Sequence, residues 1–218
     1  MINICHLADC NKIMPCYPDK FFDLAIVDPP YGININMNMG RKKGKIKKHD
    51  KKKWDAKIPD DEYFIELFRI SKNQIIWGGN YFPLKSTGAW IFWYKHVPSG
   101  VSFADGELAW TSFNKVLRIA DIPYSGFIGS EGKIHPTQKP VALYKWLLKN
   151  YAKQGDKIFD SHVGSGSIRI ACHDMGFDFT GCELDPEYWK SQEERFKNHT
   201  SQQELFEKDE MQELIYGR

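Results

Sequence analysis

Apolar residues recur along this chain in two rhythms. Short continuous runs, of which Leu24-Ala25-Ile26-Val27 is the clearest, have the character of strands buried on both faces. Strands are predicted at residues 2–7, 22–28, 74–77, 89–94, 107–113, 157–160 and 177–182. Between some of them the spacing changes to that of a helix. Tyr63, Phe64, Leu67, Phe68 and Ile70 follow a capping Asp60 or Asp61. Val141, Tyr144, Leu147, Leu148 and Tyr151 follow Pro140, which suits a first helical turn, and Gly155 lies beyond their end. A third helix runs to Met175 and is closed by Gly176, and a last one covers about residues 186–198. Residues 12–17 read as a helical turn or loop. Residues 32–57, 95–106 and 115–133 show little periodicity.

Strands alternating with helices predict an α/β fold: a doubly wound, mostly parallel, seven-stranded Rossmann-like sheet. No helix is expected between residue 107 and Gln138, so one strand should run antiparallel. At 218 residues the chain fits one domain with a sizeable core. No apolar run approaches ~20 residues, so no membrane segment is expected. Residues 1–6 lack a signal-peptide pattern, and five cysteines without framework spacing suggest reduced thiols, hence a cytoplasmic protein. Cys5, His6, Cys10 and Cys16 contain no C-x2-C pair, so no metal is expected.

The net charge of +2 hides segregation. Arg41, Lys42, Lys43, Lys45, Lys47, Lys48, Lys51, Lys52 and Lys53 stand against one acid, Asp50. From Glu187 onward the tail holds eight acids and five bases. The basic stretch, about 33–57, follows directly on the segment with the most telling chemistry. It reads as a mobile loop suited to the phosphates of a polyanion, although a solvated charge run is the ordinary fate of such sequences.

That segment is Asp28-Pro29-Pro30-Tyr31. It stands at the carboxyl end of a buried strand, where open α/β sheets bind ligands. Two prolines remove two N–H donors and leave the carbonyls of Asp28 and Pro29 as acceptors. A carboxylate, a carbonyl and an aromatic face suit the amino group of a planar ring. A second unit lies far along the chain: Asp160, then Gly164-Ser165-Gly166-Ser167, then Glu183 at the end of the next strand. Glycines admit a ligand close to the backbone, and Glu183, 17 residues beyond Gly166, stands where an acid binds ribose hydroxyls. No Lys-Ser/Thr follows the glycines, which argues against a phosphate loop. A nucleoside whose reactive group is not a phosphate suggests S-adenosylmethionine. Pro15-Cys16 precedes the strand of Asp28 and reads as a turn, not a cytosine-attacking nucleophile.

Together these residues resemble the amino-group DNA methyltransferases that use S-adenosylmethionine, in the permuted class whose catalytic motif precedes the cofactor motif. Asp28-Pro29-Pro30-Tyr31 is similar to their catalytic tetrapeptide, and Phe159-Asp160 with Gly164-Ser165-Gly166-Ser167 to their cofactor motif. His135-Pro136-Thr137-Gln138-Lys139-Pro140 resembles the segment that precedes it. Leu7-Ala8-Asp9-Cys10 and Trp77-Gly78-Gly79-Asn80-Tyr81 resemble two further motifs. The resemblance covers about residues 2–198.

It implies roles. Asp28 and the Pro29 carbonyl, fixed by Pro30, would accept hydrogen bonds from the target amine, and Tyr31 would stack on the flipped-out base. Asp160, Gly164, Ser165, Gly166, Ser167, Thr137, Gln138 and Lys139 would surround the methionine part of the cofactor. Glu183 would bind the ribose, and Asp9 would face the adenine. Ser161-His162 replaces the usual Pro-Phe, so an aromatic wall is missing or supplied by His162. Asp rather than Ser at position 28 favours adenine N6 over cytosine N4. The implied activity is site-specific methylation of double-stranded DNA. The alternatives are an N4-cytosine enzyme or a DNA-binding homologue without turnover. A short recognition stretch, about 97–134, and an extension over 200–218 fit a homodimer. A companion restriction enzyme is a further partner left open.

Overall fold

The computed structural model of the chain describes residues 1–33, 57–100, 104–124, 134 and 137–216, with side chains up to 202. In chain order the elements are β1 (Asn3–Leu7), α1 (Cys10–Ile13), β2 (Phe22–Val27), α2 (Asp61–Ile70), β3 (Ser71–Trp77), β4 (Ile91–Tyr94), β5 (Gly106–Thr111), β6 (Arg118–Asp121), α3 (Val141–Tyr151), β7 (Lys157–Asp160), α4 (Ser167–Met175), β8 (Asp178–Glu183) and α5 (Pro186–Tyr216). One sheet joins the strands in the order β1-β8-β7-β2-β3-β5-β4-β6. All pairs are parallel except those of β5, which runs antiparallel to both β3 and β4.

Among the described residues the sheet thus has the expected single antiparallel strand, but eight strands instead of seven. The extra one is β6, which pairs in parallel with β4 at the sheet edge. It lies in a stretch read as irregular, because only Ala120 of its four residues is buried and no alternation marks it. The last helix also runs on to Tyr216, past the predicted end near 198.

Two cores explain the helix placement. Side chains of successive strand residues point to opposite faces. Leu24, Ile26, Ile75 and Trp77 pack on one face with α3 and α4, and Trp189 of α5 joins them there. Ala25, Val27 and Ile76 pack on the other with α2 and Met14. Each fully buried aliphatic or aromatic side chain contributes roughly 1.5–3 kcal/mol, so two continuous apolar faces fix the layering. Helix α2 begins where Asp60 accepts a hydrogen bond from the Tyr63 N–H at 2.9 Å. Among the described residues no helix is long and apolar enough to cross a membrane.

The strand order reverses between β2 and β7. From β2 the chain moves to β3 on one side; from β7 it moves to β8 on the other. Ligands bind at such a switch point, beyond the carboxyl ends of the strands. The register pairs Leu24 with Ile158 and Ala25 with Phe159, so Asp28 and Asp160 emerge at neighbouring ends.

A turn after β3 braces this edge. Gly78 has φ +66°, and a Cβ there would lie 2.2 Å from the Tyr31 ring. Gly79 leaves room in the same way for Trp110. Gly78→Ala therefore adds both left-handed strain and a clash, and should lower stability by about 1–3 kcal/mol. An unchanged urea midpoint in that variant would contradict this role for the turn.

Candidate active site

At the end of β2 the tetrapeptide folds back on itself. The Tyr31 hydroxyl donates to Asp28 Oδ1 at 2.6 Å. The Tyr31 ring lies nearly parallel to Tyr81, at 5.1 Å and 13°. Burial and the charge of Asp28 push the Tyr31 hydroxyl well up, so it remains a proton donor. The second carboxylate oxygen, Oδ2, is 2.5 Å from Lys139 Nζ. Lys139 comes from the loop before α3, and its side chain is only 3% exposed. It also lies 3.1 Å from Glu107 Oε2, at the start of β5, and its ammonium stands 5.0 Å over the Trp77 ring. Lys95 closes the row by pairing with Glu107 Oε1. The two lysines hold the Glu107 carboxyl down at about 2 against the effect of burial.

At the end of β7, Asp160 is buried and accepts the His162 N–H at 2.9 Å. Burial pushes its carboxyl up to about 8, with the charges of Asp28 and Glu183 adding to the rise. The Ser161 hydroxyl lies 2.7 Å from the Tyr63 hydroxyl and 2.8 Å from His162 Nδ1. Burial lowers the His162 imidazole to about 4, so the ring is neutral at pH 7. At the end of β8, Glu183 accepts two backbone N–H groups at 2.8 Å, from Gly164 and Asp185. Asp9, at the end of β1, caps α1 through the Asn11 N–H at 2.9 Å.

These strand ends enclose one cavity of about 470 Å³. Asp28, Pro29, Pro30, Tyr31, Asp9, Thr137, Gln138, Lys139, His162, Gly164, Ser165 and Glu183 all line it. Asp160, Gly166 and Ser167 do not. Asp160 lies beneath the loop, Gly166 turns the chain at φ +74°, and Ser167 opens α4. The basic residues Arg41, Lys42, Lys43, Lys45, Lys47, Lys48, Lys51, Lys52 and Lys53 lie outside the described residues. So do His135 and Pro136.

Two wall residues escape a sequence reading. Glu107 stands in the half-buried first part of its strand, before burial becomes complete at Ala109, where an acid passes for a solvent-facing residue. Tyr144 reads as part of the helical core stripe and shares its face with the cavity. Among the described residues the wall carries five carboxylates, of Asp9, Asp28, Glu107, Glu183 and Asp185, against the single ammonium of Lys139. Such a site favours a ligand with positive charge. Among the described residues no group of His, Cys, Asp and Glu could hold a metal ion.

A family profile described as DNA methylase matches residues 85–194, half of the chain. The chain belongs to the N6/N4 DNA methylase family. The stretch that defines membership carries Lys139, Asp160, Gly164 and Glu183; Asp28 lies before it. Type II methyltransferase M.HpaI of Haemophilus parainfluenzae is 36% identical over 63 residues, which are 29% of this chain and 20% of that protein. The chain therefore spans only a fifth of that relative's length. The crystal structure of the M1.HpyAVI–SAM complex superposes with a TM-score of 0.60 at 21% identity, covering 89% of this chain and 100% of that one. The cytosine-N4-specific PvuII DNA methyltransferase gives a TM-score of 0.57 at 12% identity, covering 89% and 90%. Both likenesses are likenesses of fold.

The raised Asp160 carboxyl has a measurable consequence. The unfolded chain ionises this group near its ordinary 3.8, whereas the folded chain keeps it protonated until about 8. The folded state thus binds the extra proton between those values, and this group's contribution to stability falls as pH rises from about 4 to about 8, opposed below about 6.5 by that of His162. Asp160→Asn removes that slope and should gain about 1–3 kcal/mol over the unaltered chain at pH 8. Urea midpoints at pH 5 and pH 8 check it; parallel losses in both proteins would contradict the burial argument.

Proposed function

We propose that this chain transfers a methyl group from S-adenosylmethionine to the exocyclic amino group of a flipped-out base in double-stranded DNA, adenine N6 being the favoured acceptor. The observation that carries the reading is that Asp28 and the Gly164–Glu183 wall border a single cavity at the ends of adjacent strands. Its volume falls in the range of about 300–1,000 Å³ usual for small-molecule sites.

The wall residues fit the cofactor. Two backbone N–H groups fix the orientation of Glu183, whose remaining lone pairs suit ribose hydroxyls. Asp9 lines the nucleoside side. Thr137, Gln138, Lys139 and the Gly164–Ser165 backbone line the side toward Asp28, where the methionine part belongs. The excess of carboxylates complements a ligand with a sulfonium and an ammonium. When bound, the cofactor supplies an electrophilic methyl group.

The chain's own groups supply the rest. An exocyclic amine is a weak nucleophile, because its lone pair is delocalised into the ring. Asp28 and the Pro29 carbonyl accept its N–H bonds and so favour the pyramidal nitrogen of the transition state. Each Asp28 oxygen keeps accepting capacity beyond its bond to Tyr31 or Lys139. Tyr31 and Tyr81 offer aromatic surface that offsets part of the few kcal/mol needed to unstack the base. Adenine is favoured because Asp, not Ser, opens the tetrapeptide. Cytosine N4 is the second reading, prompted by the likeness to the N4-specific PvuII enzyme.

Asp28→Ala should bind S-adenosylmethionine within about threefold of the unaltered chain by calorimetry and lose at least 10³-fold in methyl transfer. Transfer of tritiated methyl groups by that variant at near-normal rate would overturn the reading. Nucleoside analysis of the modified DNA separates the two bases.

The basic stretch 33–57, the recognition stretch 97–134 and the tail 200–218 complete the proposal as DNA-contacting, base-reading and subunit-pairing segments. If the basic residues from Arg41 to Lys53 neutralise ~5 phosphates, log K for DNA should fall against log salt with a slope of about −4 to −5. Replacing those lysines by glutamine should flatten the slope toward zero, and an unchanged slope would remove the segment from the interface.

A further inference from the structure

The reading above gives Asp28 and Lys139 a place but leaves the rest of the row of charges behind the tetrapeptide, Glu107 and Lys95, without a task in methyl transfer. Asp28, Lys139, Glu107 and Lys95 alternate in sign and sum to zero. The two inner members are largely removed from water: the Lys139 side chain is 3% exposed and that of Glu107 26%. The face of Trp77 lies beneath the Lys139 ammonium, and that ring is fully buried. Charges withdrawn from water in this way seldom repay their desolvation, and well-packed apolar side chains of similar volume are often as stable or more so. Stability alone therefore gives no reason for the row.

Its placement does. Lys139 has two carboxylates within reach, Asp28 at 2.5 Å and Glu107 at 3.1 Å. An ammonium shared between two acids is held between them. With the Glu107 charge gone, the ammonium would turn its full attraction on Asp28 Oδ2. That oxygen would then be a poorer acceptor for an incoming amine, and the carboxylate would be drawn off its position. Glu107 in turn is held from its outer side by Lys95. Lys95 follows β4 directly, its N–H bonded to the Asp105 carbonyl and its carbonyl to the Tyr124 N–H. Those partners belong to the recognition stretch, so the row runs from that stretch to the acceptor carboxylate.

We infer that Glu107 is a positioning residue for methyl transfer, holding Lys139 at the distance from Asp28 that leaves the carboxylate oriented and free to accept the target amine. Lys95 anchors Glu107 and ties this setting to the base of the recognition stretch. The inference rests on the methyltransferase reading and adds to it a wall residue that acts on Asp28 through Lys139.

Single-turnover transfer with saturating cofactor and DNA tests it, beside calorimetry of S-adenosylmethionine binding. Glu107→Gln keeps the shape and removes the charge. It should slow transfer by about 10–100-fold, the scale of a small misplacement of a reacting group. The cofactor dissociation constant should stay within about threefold, since Glu107 acts through Lys139 and not through the nucleoside wall. Lys139→Met should slow transfer as well. If the two residues act as one chain, the double variant E107Q/K139M should be no slower than K139M alone.

A Glu107→Gln rate within about twofold of the unaltered chain overturns the inference while leaving the methyltransferase reading intact. So does a double variant slowed by the product of the two single effects, or a cofactor affinity that falls as far as the rate. An unaltered chain that transfers no methyl group overturns both. Should Glu107→Gln not fold, Lys95→Met removes the outer charge: about threefold to tenfold slower transfer with unchanged cofactor affinity supports the row, and an unchanged rate refutes it.

Discussion

Two carboxyl groups emerge side by side at the ends of β2 and β7, one half-buried and one fully buried, and they cannot both be treated alike. Like charges in a low dielectric repel strongly, and each ion also loses its hydration. The chain resolves the conflict by giving the groups different surroundings. Asp28 receives an ammonium and a phenol donor. Asp160 receives one backbone N–H and is pushed to hold its proton up to about 8. Surroundings that differ in this way are a mark of a working site, with Asp160 holding its proton in reserve. A cationic ligand arriving over Asp160 would reverse the balance and favour its ionised form, so the protein need not carry a full negative charge there until something positive is bound.

This division dictates much of the topology. The counter-ion of Asp28 lies 111 positions away in sequence and reaches it only because the loop before α3 returns across the carboxyl end of the sheet. The aromatic side of the tetrapeptide is held just as remotely. Tyr31 rests against Tyr81 and over the backbone of Gly78, so the turn after β3 must be glycine-rich for the ring to sit where it does. The site is therefore the product of repeated returns of the chain to one edge, through the ends of β1, β2, β7 and β8 and the loop before α3, with the turn after β3 bracing it.

What could be read in the sequence follows from how local each signal is. The run Leu24–Val27, the cap at Asp60 and the closing Gly176 are settled by neighbours a few residues away, and β2, α2 and α4 lie as expected. The tetrapeptide, the glycine loop and Glu183 were legible for the same reason: each is a short motif at a strand end. Strand β6 was not, since Arg118-Ile119-Ala120-Asp121 buries one alanine and leaves Ile119 exposed. Its strand character comes from pairing with β4. Glu107 and the true partner of Lys139 were out of reach, because an ion pair carries no trace in the spacing of residues so far apart. Lys139 was expected beside the cofactor; it lines the cavity, but its ammonium is turned to two acids. Asp160, Gly166 and Ser167 shape the wall from behind instead of forming it.

The departure at Ser161-His162 shows how a changed motif can keep its physical content. An aromatic side chain is usual at the second position, and a histidine there could bring a positive charge beside a site built for a cation. Burial prevents this. The ring lines the cavity with its edge toward Tyr63 at 5.6 Å, and its lowered affinity for protons keeps it neutral over the ordinary range. Its Nδ1 is tied to the Ser161 hydroxyl, which is tied in turn to Tyr63, so the ring is oriented by a chain of hydroxyls that proline could not have supplied. Serine and histidine thus act together: the histidine restores a flat uncharged wall, and the serine fixes its angle. The pair is consistent with the same ligand that the unaltered motif would hold, and it accounts for the polar Tyr63 hydroxyl buried on the far side of the loop.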